Sequence, residues 1–282
     1  MVANHGSFEH QPVMVDEIVE AFGSVPAGWI VDATLGGAGH AAAILTAHPH
    51  LSVLGIDLVK AQIRVAEPVV GALFDLGVSS PQFDRPDRGF SYRFDAPLDM
   101  RMDPSRSTSA LTVVNEYSES ELTRVLRMHG DERYAARIAR RIVAARPVHT
   151  TTELAEIVRE AIPAPARRSG GHPAKRTFQA IRIEVNDELE VLPIALDAAI
   201  ESLTTGGRLV VLSYHSGEDR IVKRVMREAE SGGCSCPPNL PCVCGAVSRI
   251  SLLGRGGRIP SSSEIANNPR AESARLRIAV RS

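Results

Sequence analysis

The residues best able to do chemistry in this 282-residue chain are a glycine loop and two aspartates spaced behind it. The loop is Gly36-Gly37-Ala38-Gly39, preceded by Asp32-Ala33-Thr34. A glycine loop between a strand and a helix lets backbone N–H groups and the helix N-terminus approach a ligand closely. Asp57 stands 20 positions after Gly37, about where a carboxylate meets the ribose hydroxyls of an adenosine. Gly37, Gly39 and Ala42 also satisfy the dinucleotide pattern G-x-G-x-x-A, so the loop alone does not separate a nicotinamide enzyme from a methyltransferase. The plainer alternative is a tight turn; the order strand, loop, acidic strand end speaks against it. Asp75 closes the next apolar run and is followed by Leu76-Gly77-Val78-Ser79-Ser80-Pro81-Gln82. Ligands of open α/β sheets sit beyond the carboxyl ends of strands, which makes Asp75 and Gln82 candidates. Taken singly, an Asp capping a turn is an equal reading of Asp75.

Two further clusters carry reactive groups. Ser213-Tyr214-His215-Ser216 follows an apolar run, and Glu218, Asp219, Arg220 and Lys223 crowd behind it. His215 is read as a contact to a reacting group, against the plainer reading of a histidine satisfied by loop backbone. All four cysteines, Cys234, Cys236, Cys242 and Cys244, fall in one short stretch. Four thiolates suit a closed tetrahedral zinc site, but C-x-C…C-x-C is tighter than the usual spacing. Four reduced thiols on a surface hairpin are the favoured reading, and a catalytic zinc is not expected. A disulfide framework would scatter the cysteines and need an oxidising compartment.

These groups need elements to hold them. Pro12–Phe22 has the apolar spacing of a short helix. Trp29–Val31, Leu51–Ile56 and Val69–Phe74 read as strands, with a helix over Ala41–Ala47. Strand, glycine loop, helix, strand is the opening of a doubly wound α/β sheet. From Pro97 amphipathic helices take over. Ser118 with Glu121, and Thr150 with Glu153, form capping boxes. This stretch is read as an all-helical insertion over 102–174, splitting an α/β domain into 1–101 and 175–282. The α/β pattern resumes with one long helix over Phe178–Leu203, ended by Gly206-Gly207, then a strand over Arg208–Tyr214. Ser216 is expected to cap a helix running to about Glu230. Strand candidates follow at Val247–Leu253 and Ala274–Val280.

The composition, 44% hydrophobic and 23% charged, is that of an ordinary globular protein with a sizeable core. The net charge of −1 says nothing of partners; its distribution does. From Arg124 to Arg182 there are 13 Lys or Arg against 5 Asp or Glu, nearly all of the excess being Arg, which grips phosphate through two parallel hydrogen bonds. No apolar run is long enough for a bilayer, and the first ten residues lack a secretory pattern. The expected location is the cytoplasm.

Several long strings resemble one known family. They are His10-Gln11-Pro12-Val13-Met14, Asp32 through His40, Asp75 through Gln82, Arg88-Gly89-Phe90-Ser91, Asp99 through Asp103, His172 through Ile183, Asn186 through Leu189, Ser213 through Ser216, Glu218 through Lys223, and Asn268-Pro269-Arg270. The chain resembles the bacterial methyltransferases that modify the N4 amine of a cytosine in small-subunit ribosomal RNA, the RsmH or MraW family, along almost its whole length. The resemblance implies a class I, Rossmann-like S-adenosylmethionine-dependent fold carrying a helical substrate domain. It implies cofactor contacts at Ala38, Gly39, His40, Asp57, Asp75 and Gln82. The partner it implies is small-subunit ribosomal RNA, in the 30S subunit; no membrane is expected, and a homodimer stays open.

For such a reaction Asp75 and the Ser79-Ser80 turn are the candidates to accept an N–H bond from the target amine, with His215 beside the base. For RNA, Arg88, Phe90 and Arg101 sit in an aromatic and basic loop, read equally as a base-stacking wall or as a hydrophobic latch over the cofactor pocket. Arg167, Arg168, Lys175 and Arg176 flank a Ser-Gly-Gly turn suited to gripping phosphate. The chain departs from the family in one large respect. Only 17 residues separate Asp57 from Asp75, whereas a strand-helix-strand unit takes about 30 or more. Either the protein is shortened there or the 282 residues join the flanks of a longer segment; the intact flanking motifs favour the second. The family's aromatic cofactor contact after the third strand has no counterpart here. Tyr214 stands where Phe is frequent and Gly217 where Leu is usual; neither removes a polar group, so little effect is expected. The competing readings are a non-catalytic ribosomal RNA-binding protein that has lost its cofactor, and a nicotinamide dehydrogenase, which leaves the Arg-rich helices unexplained.

Overall fold

In the computed structural model the described residues are 12–56, 68–77, 88–168, 172–237 and 243–282. The chain divides into two compact units, Met1–Gly77 with Glu190–Ser282, and Val78–Leu189.

The first unit is an α/β layer structure. Its strands are β1 (Gly28–Asp32), β2 (Leu51–Gly55), β3 (Val69–Asp75), β4 (Leu203–Ser213), β5 (Ile250–Leu252) and β6 (Arg275–Arg281). They form one sheet in the order β2-β1-β3-β4-β6-β5. Pairing is parallel from β2 through β4, and β6 runs antiparallel to both β4 and β5. Side chains of alternate sense fill two cores. Ile30, Leu73, Val210, Leu212, Leu276 and Ile278 face α1 (Val15–Phe22) and α2 (Gly39–Ala47). Val31, Phe74, Leu209 and Val211 face the opposite way, toward Leu196 and Ile200, and Val222 and Met226. A sheet buried on both faces reads as continuous apolar runs, which is why β1, β3 and β4 were legible.

The second unit is helical. It contains α3 (Ala110–Glu116), α4 (Glu119–Gly130), α5 (Ala135–Ala145), α6 (Thr151–Ala161) and α7 (Lys175–Asn186). The two expected capping boxes are formed, Ser118 with Glu121 and Thr150 with Glu153. The unit is wider than the stretch 102–174, because Phe90, Leu98 and Met100 on one side and Phe178, Ile181 and Val185 on the other share its core.

Three local expectations need correction. The long helix over Phe178–Leu203 is two, α7 and α8 (Glu188–Ser202), separated by Asp187 in the left-handed region at φ 51. β4 starts at Leu203, ahead of the expected Arg208, and its register against β3 shifts between Val69 and Gly71, so Gly206 and Gly207 lie inside the strand and do not stop a helix. The residue capping α9 (Ser216–Ser231) is His215 in place of Ser216. Among the described residues no helix is long and apolar enough to cross a membrane.

Candidate active site

The carboxyl ends of β1, β3 and β4 bring Asp32, Asp75 and Tyr214 into one hydrogen-bonded chain. Asp32 is 2% exposed and accepts from the Thr34 N–H at 3.1 Å and its hydroxyl at 3.4 Å. The Thr34 hydroxyl oxygen accepts in turn from the Asp75 N–H at 2.6 Å. Burial pushes the Asp32 carboxyl above the usual carboxylate range, with the bonds from Thr34 opposing. Asp32 therefore fixes Thr34, and Thr34 fixes the end of β3.

The Asp75 carboxylate is gripped on both oxygens. Tyr214 donates its hydroxyl to Oδ1 at 2.8 Å, and His40 Nδ1 lies 3.3 Å from Oδ2. The other ring nitrogen of His40, Nε2, donates to the Val13 carbonyl at 2.8 Å. Both ring nitrogens thus face acceptors, which suits the imidazolium. Burial of the ring disfavours that charge, but the bond to Asp75 and its charge outweigh it, and the His40 pKa rises above its ordinary 6.5. Burial, followed by the Asp75 charge, pushes the Tyr214 phenol far up, so it stays a donor. A carboxylate has about four lone-pair sites, and the Asp75 side chain is 25% exposed. It keeps acceptor capacity for a substrate.

The glycine loop lies next to this chain. Gly36 and Ala38 are both left-handed, at φ 46 and 58, and α2 starts at Gly39. A Cβ on Gly39 would stand 2.3 Å from Pro12 Cγ, so the Pro12 ring and the loop fit only with glycine there. The first-turn N–H groups of α2 lack an intrahelical partner, as at any helix start. The imidazole of His40 is engaged by Val13 and Asp75, so what this residue offers a ligand is its backbone N–H.

On the far side of β3, His215 caps α9. Its Nδ1 accepts from the Glu218 N–H at 3.3 Å. The Glu218 carboxylate accepts from the N–H groups of Tyr214, at 2.8 Å, and His215, at 3.3 Å. His215 Nε2 is buried without a hydrogen-bond partner among the described residues; it lies 3.1 Å from Glu218 Oε1, out of line for a bond. Asp219 holds Arg277 of β6 through two bonds, at 2.7 and 3.0 Å.

Asp57, Ser79, Ser80 and Gln82 lie outside the described residues, as does Cys242. The helical unit treats its candidates unevenly. Phe90 is buried in the unit's core, which removes it as a base-stacking surface. Arg88 donates to the Arg101 and Met102 carbonyls, and Arg101 is held by Asp99 and by the Pro104 and Arg106 carbonyls. Arg167 donates to the Ile162 and Glu160 carbonyls at the end of α6. These three guanidinium groups brace their own loops. Arg168 closes a short 3-10 turn, Ala166–Arg168. Lys175 and Arg176 are exposed at the start of α7. Thr34, Tyr214 and Glu218 were not singled out by residue type, though each lies in or beside a recognised string. Tyr214, expected to have little effect where Phe is frequent, donates its hydroxyl to Asp75.

A family model described as the MraW methylase family matches residues 7–70 and 59–282. The chain belongs to the MraW methylase family. It is a methyltransferase with the class I, Rossmann-like fold expected of that family. The methylase is 50% identical to a protein of Thermobifida fusca named ribosomal RNA small subunit methyltransferase H, over 96% of this chain and 93% of the relative. Proteins of the same name from Salinispora tropica and Heliobacterium mobile are 49% and 44% identical, again over 96% of this chain. The Thermobifida alignment is 309 positions long, whereas 96% of 282 residues is about 271; about 38 positions therefore hold residues in the relative and none in the methylase. The family match comes in two segments that overlap over residues 59–70, inside the short stretch between Asp57 and Asp75.

Proposed function

We propose that this methyltransferase transfers a methyl group from S-adenosylmethionine to the exocyclic N4 amine of a cytidine in small-subunit ribosomal RNA. The observation that carries the reading is the Asp75 carboxylate, fixed at the end of β3 by Thr34, Tyr214 and His40 and still partly open.

The described residues fit such a donor in two respects. The left-handed loop into α2 presents helix N–H groups suited to a carboxylate, and a Cβ on Gly37 would meet nothing within 4 Å, so the loop is open on that side. The partly open Asp75 carboxylate offers negative charge suited to a sulfonium. Bound S-adenosylmethionine supplies an electrophilic methyl. The cytosine amine is a poor nucleophile, because its lone pair is delocalised into the ring. Asp75 accepts one amine N–H bond, which favours the pyramidal attacking geometry, and holds the nitrogen in place. His40 and Tyr214 keep the carboxylate from turning. The proton shed by the amine passes to Asp75 or to water. Lys175 and Arg176 contribute charge toward RNA phosphates. The setting is the cytoplasm, and the partner is the small ribosomal subunit.

The test uses the purified full chain, labelled S-adenosylmethionine and small subunits lacking the mark. Transfer to cytidine N4, lost in Asp75→Asn while S-adenosylhomocysteine binding by calorimetry persists, is the expected result. Absence of both transfer and cofactor binding in the wild-type chain would overturn the reading.

A further inference from the structure

The loop between α9 and β5 carries a cluster that methyl transfer does not use. The chain leaves α9 through Gly232, in the left-handed region at φ 62, where a Cβ would stand 2.3 Å from the Val247 carbonyl oxygen. Only glycine allows the two ends of the loop to pass this closely. The Arg249 N–H donates to the Ala229 carbonyl at 2.9 Å and fastens the crossing.

Held in this way, Cys234, Cys236 and Cys244 bring their sulfurs within 4.8 Å of one another. The Cys234 and Cys244 sulfurs are 3.6 Å apart, and Cys234, Cys236 and Cys244 are reduced thiols. A disulfide would need about 2.05 Å. Thiolates arranged tetrahedrally about 2.3 Å from a zinc ion stand about 3.8 Å from each other, which is the scale seen here. The backbone N–H groups of Val243 and Cys244 are directed at the Cys236 sulfur. Such outer donors orient a metal-bound thiolate and offset its charge. Unrelated reduced thiols on a hairpin have no reason to converge with N–H groups aimed at one of them. The tight C-x-C spacing, which argued for that plainer reading, is accommodated by the crossed loop.

We propose that Cys234, Cys236 and Cys244 bind one thiophilic divalent cation, zinc in the first place, in a structural site that staples the α9–β5 loop. Each thiol gives up its proton on binding, so uptake is favoured as pH rises. Cys242 lies outside the described residues, and three thiolates already suffice to hold the ion.

The tag-free full chain, reduced and stripped with chelator, is titrated with Zn(II) against a chromophoric chelator, and separately with Co(II) as an optical reporter. The expected result is one equivalent per chain, a Kd below about 10⁻⁷ M at neutral pH, and a thiolate-to-cobalt charge-transfer band. Cys234→Ser combined with Cys244→Ser should weaken uptake by more than about 100-fold while keeping the wild-type far-ultraviolet spectrum. In a second measurement, zinc should slow amide exchange over 232–249 in the wild-type chain and not in the variant. No uptake by the reduced wild-type chain, equal uptake by the variant, or an intact mass two hydrogens short would overturn the proposal.

Discussion

Replacing Tyr214 by Phe removes one hydroxyl and keeps the ring that packs against the sheet. The lost bond is the 2.8 Å donation to Asp75 Oδ1. Hydrogen bonds to charged groups contribute about 1.5–3 kcal/mol. Asp75 is a quarter exposed and keeps His40 on its other oxygen, so water replaces part of the loss and the lower end applies, about 1.5 kcal/mol. For a chain of this size that lowers Tm by about 3–6 °C. The same energy, expressed in the transition state, reduces kcat/KM by about tenfold, well short of what Asp75→Asn should do. A third readout follows from charge. With the phenol gone, less of the Asp75 charge is neutralised, so the His40 pKa should rise further, as followed by NMR of the imidazole. Differential scanning calorimetry, methyl-transfer kinetics and that titration together make the test. A Tyr214→Phe protein with wild-type melting and an unmoved His40 titration would refute the claim that this bond positions the carboxylate.

The remaining predictions concern pH, the helical unit and RNA. Because the folded-state pKa of His40 is raised above 6.5, its contribution to stability is complete below that value and is lost as pH rises through the folded pKa; His40→Asn should flatten this part of the curve in denaturation series between about pH 5 and about pH 9. Glu184 moves the other way. Its pKa is lowered chiefly by the bond from His129, so its contribution is present above 4.5 and is lost as pH falls through the folded value; Glu184→Gln should reduce the loss on acidification. Asn186 accepts from the Met102 N–H at 2.8 Å and donates to the Met100 and Arg182 carbonyls. Asn186→Ala leaves buried backbone groups unpaired and should cost about 3 kcal/mol, read as a lowered urea midpoint. Changing Lys175 and Arg176 together to Ala should weaken RNA binding regardless of sequence and reduce the salt slope by about two.

The parts of this protein legible in its sequence are those ruled by local chemistry. The glycine loop, the acidic ends of β1 and β3 and the two capping boxes depend on neighbours a few residues away. What escaped depends on distant partners. Nothing about Asp187 announces a left-handed residue, as a glycine would have, so α7 and α8 read as one helix. Gly206 and Gly207 read as a helix stop, because their place in β4 is set by pairing with β3. Arg88 and Arg101 read as part of a base-stacking wall or a hydrophobic latch; only the folded loop reveals the carbonyls that engage them. Tyr214 reaches Asp75 across 139 positions, a relation no spacing rule contains.

The strand β6 lies between β4 and β5 in the sheet, although it is the last of the six to be synthesised. Until residues 275–281 have left the ribosome, β4 has an unsatisfied edge, and Asp219 has no Arg277. The helical unit is one continuous stretch, Val78–Leu189, whereas the other unit is assembled from two. Birth order and sheet order therefore differ: the sheet waits for its last strand, with the β4 edge exposed meanwhile to chaperones and to other strands.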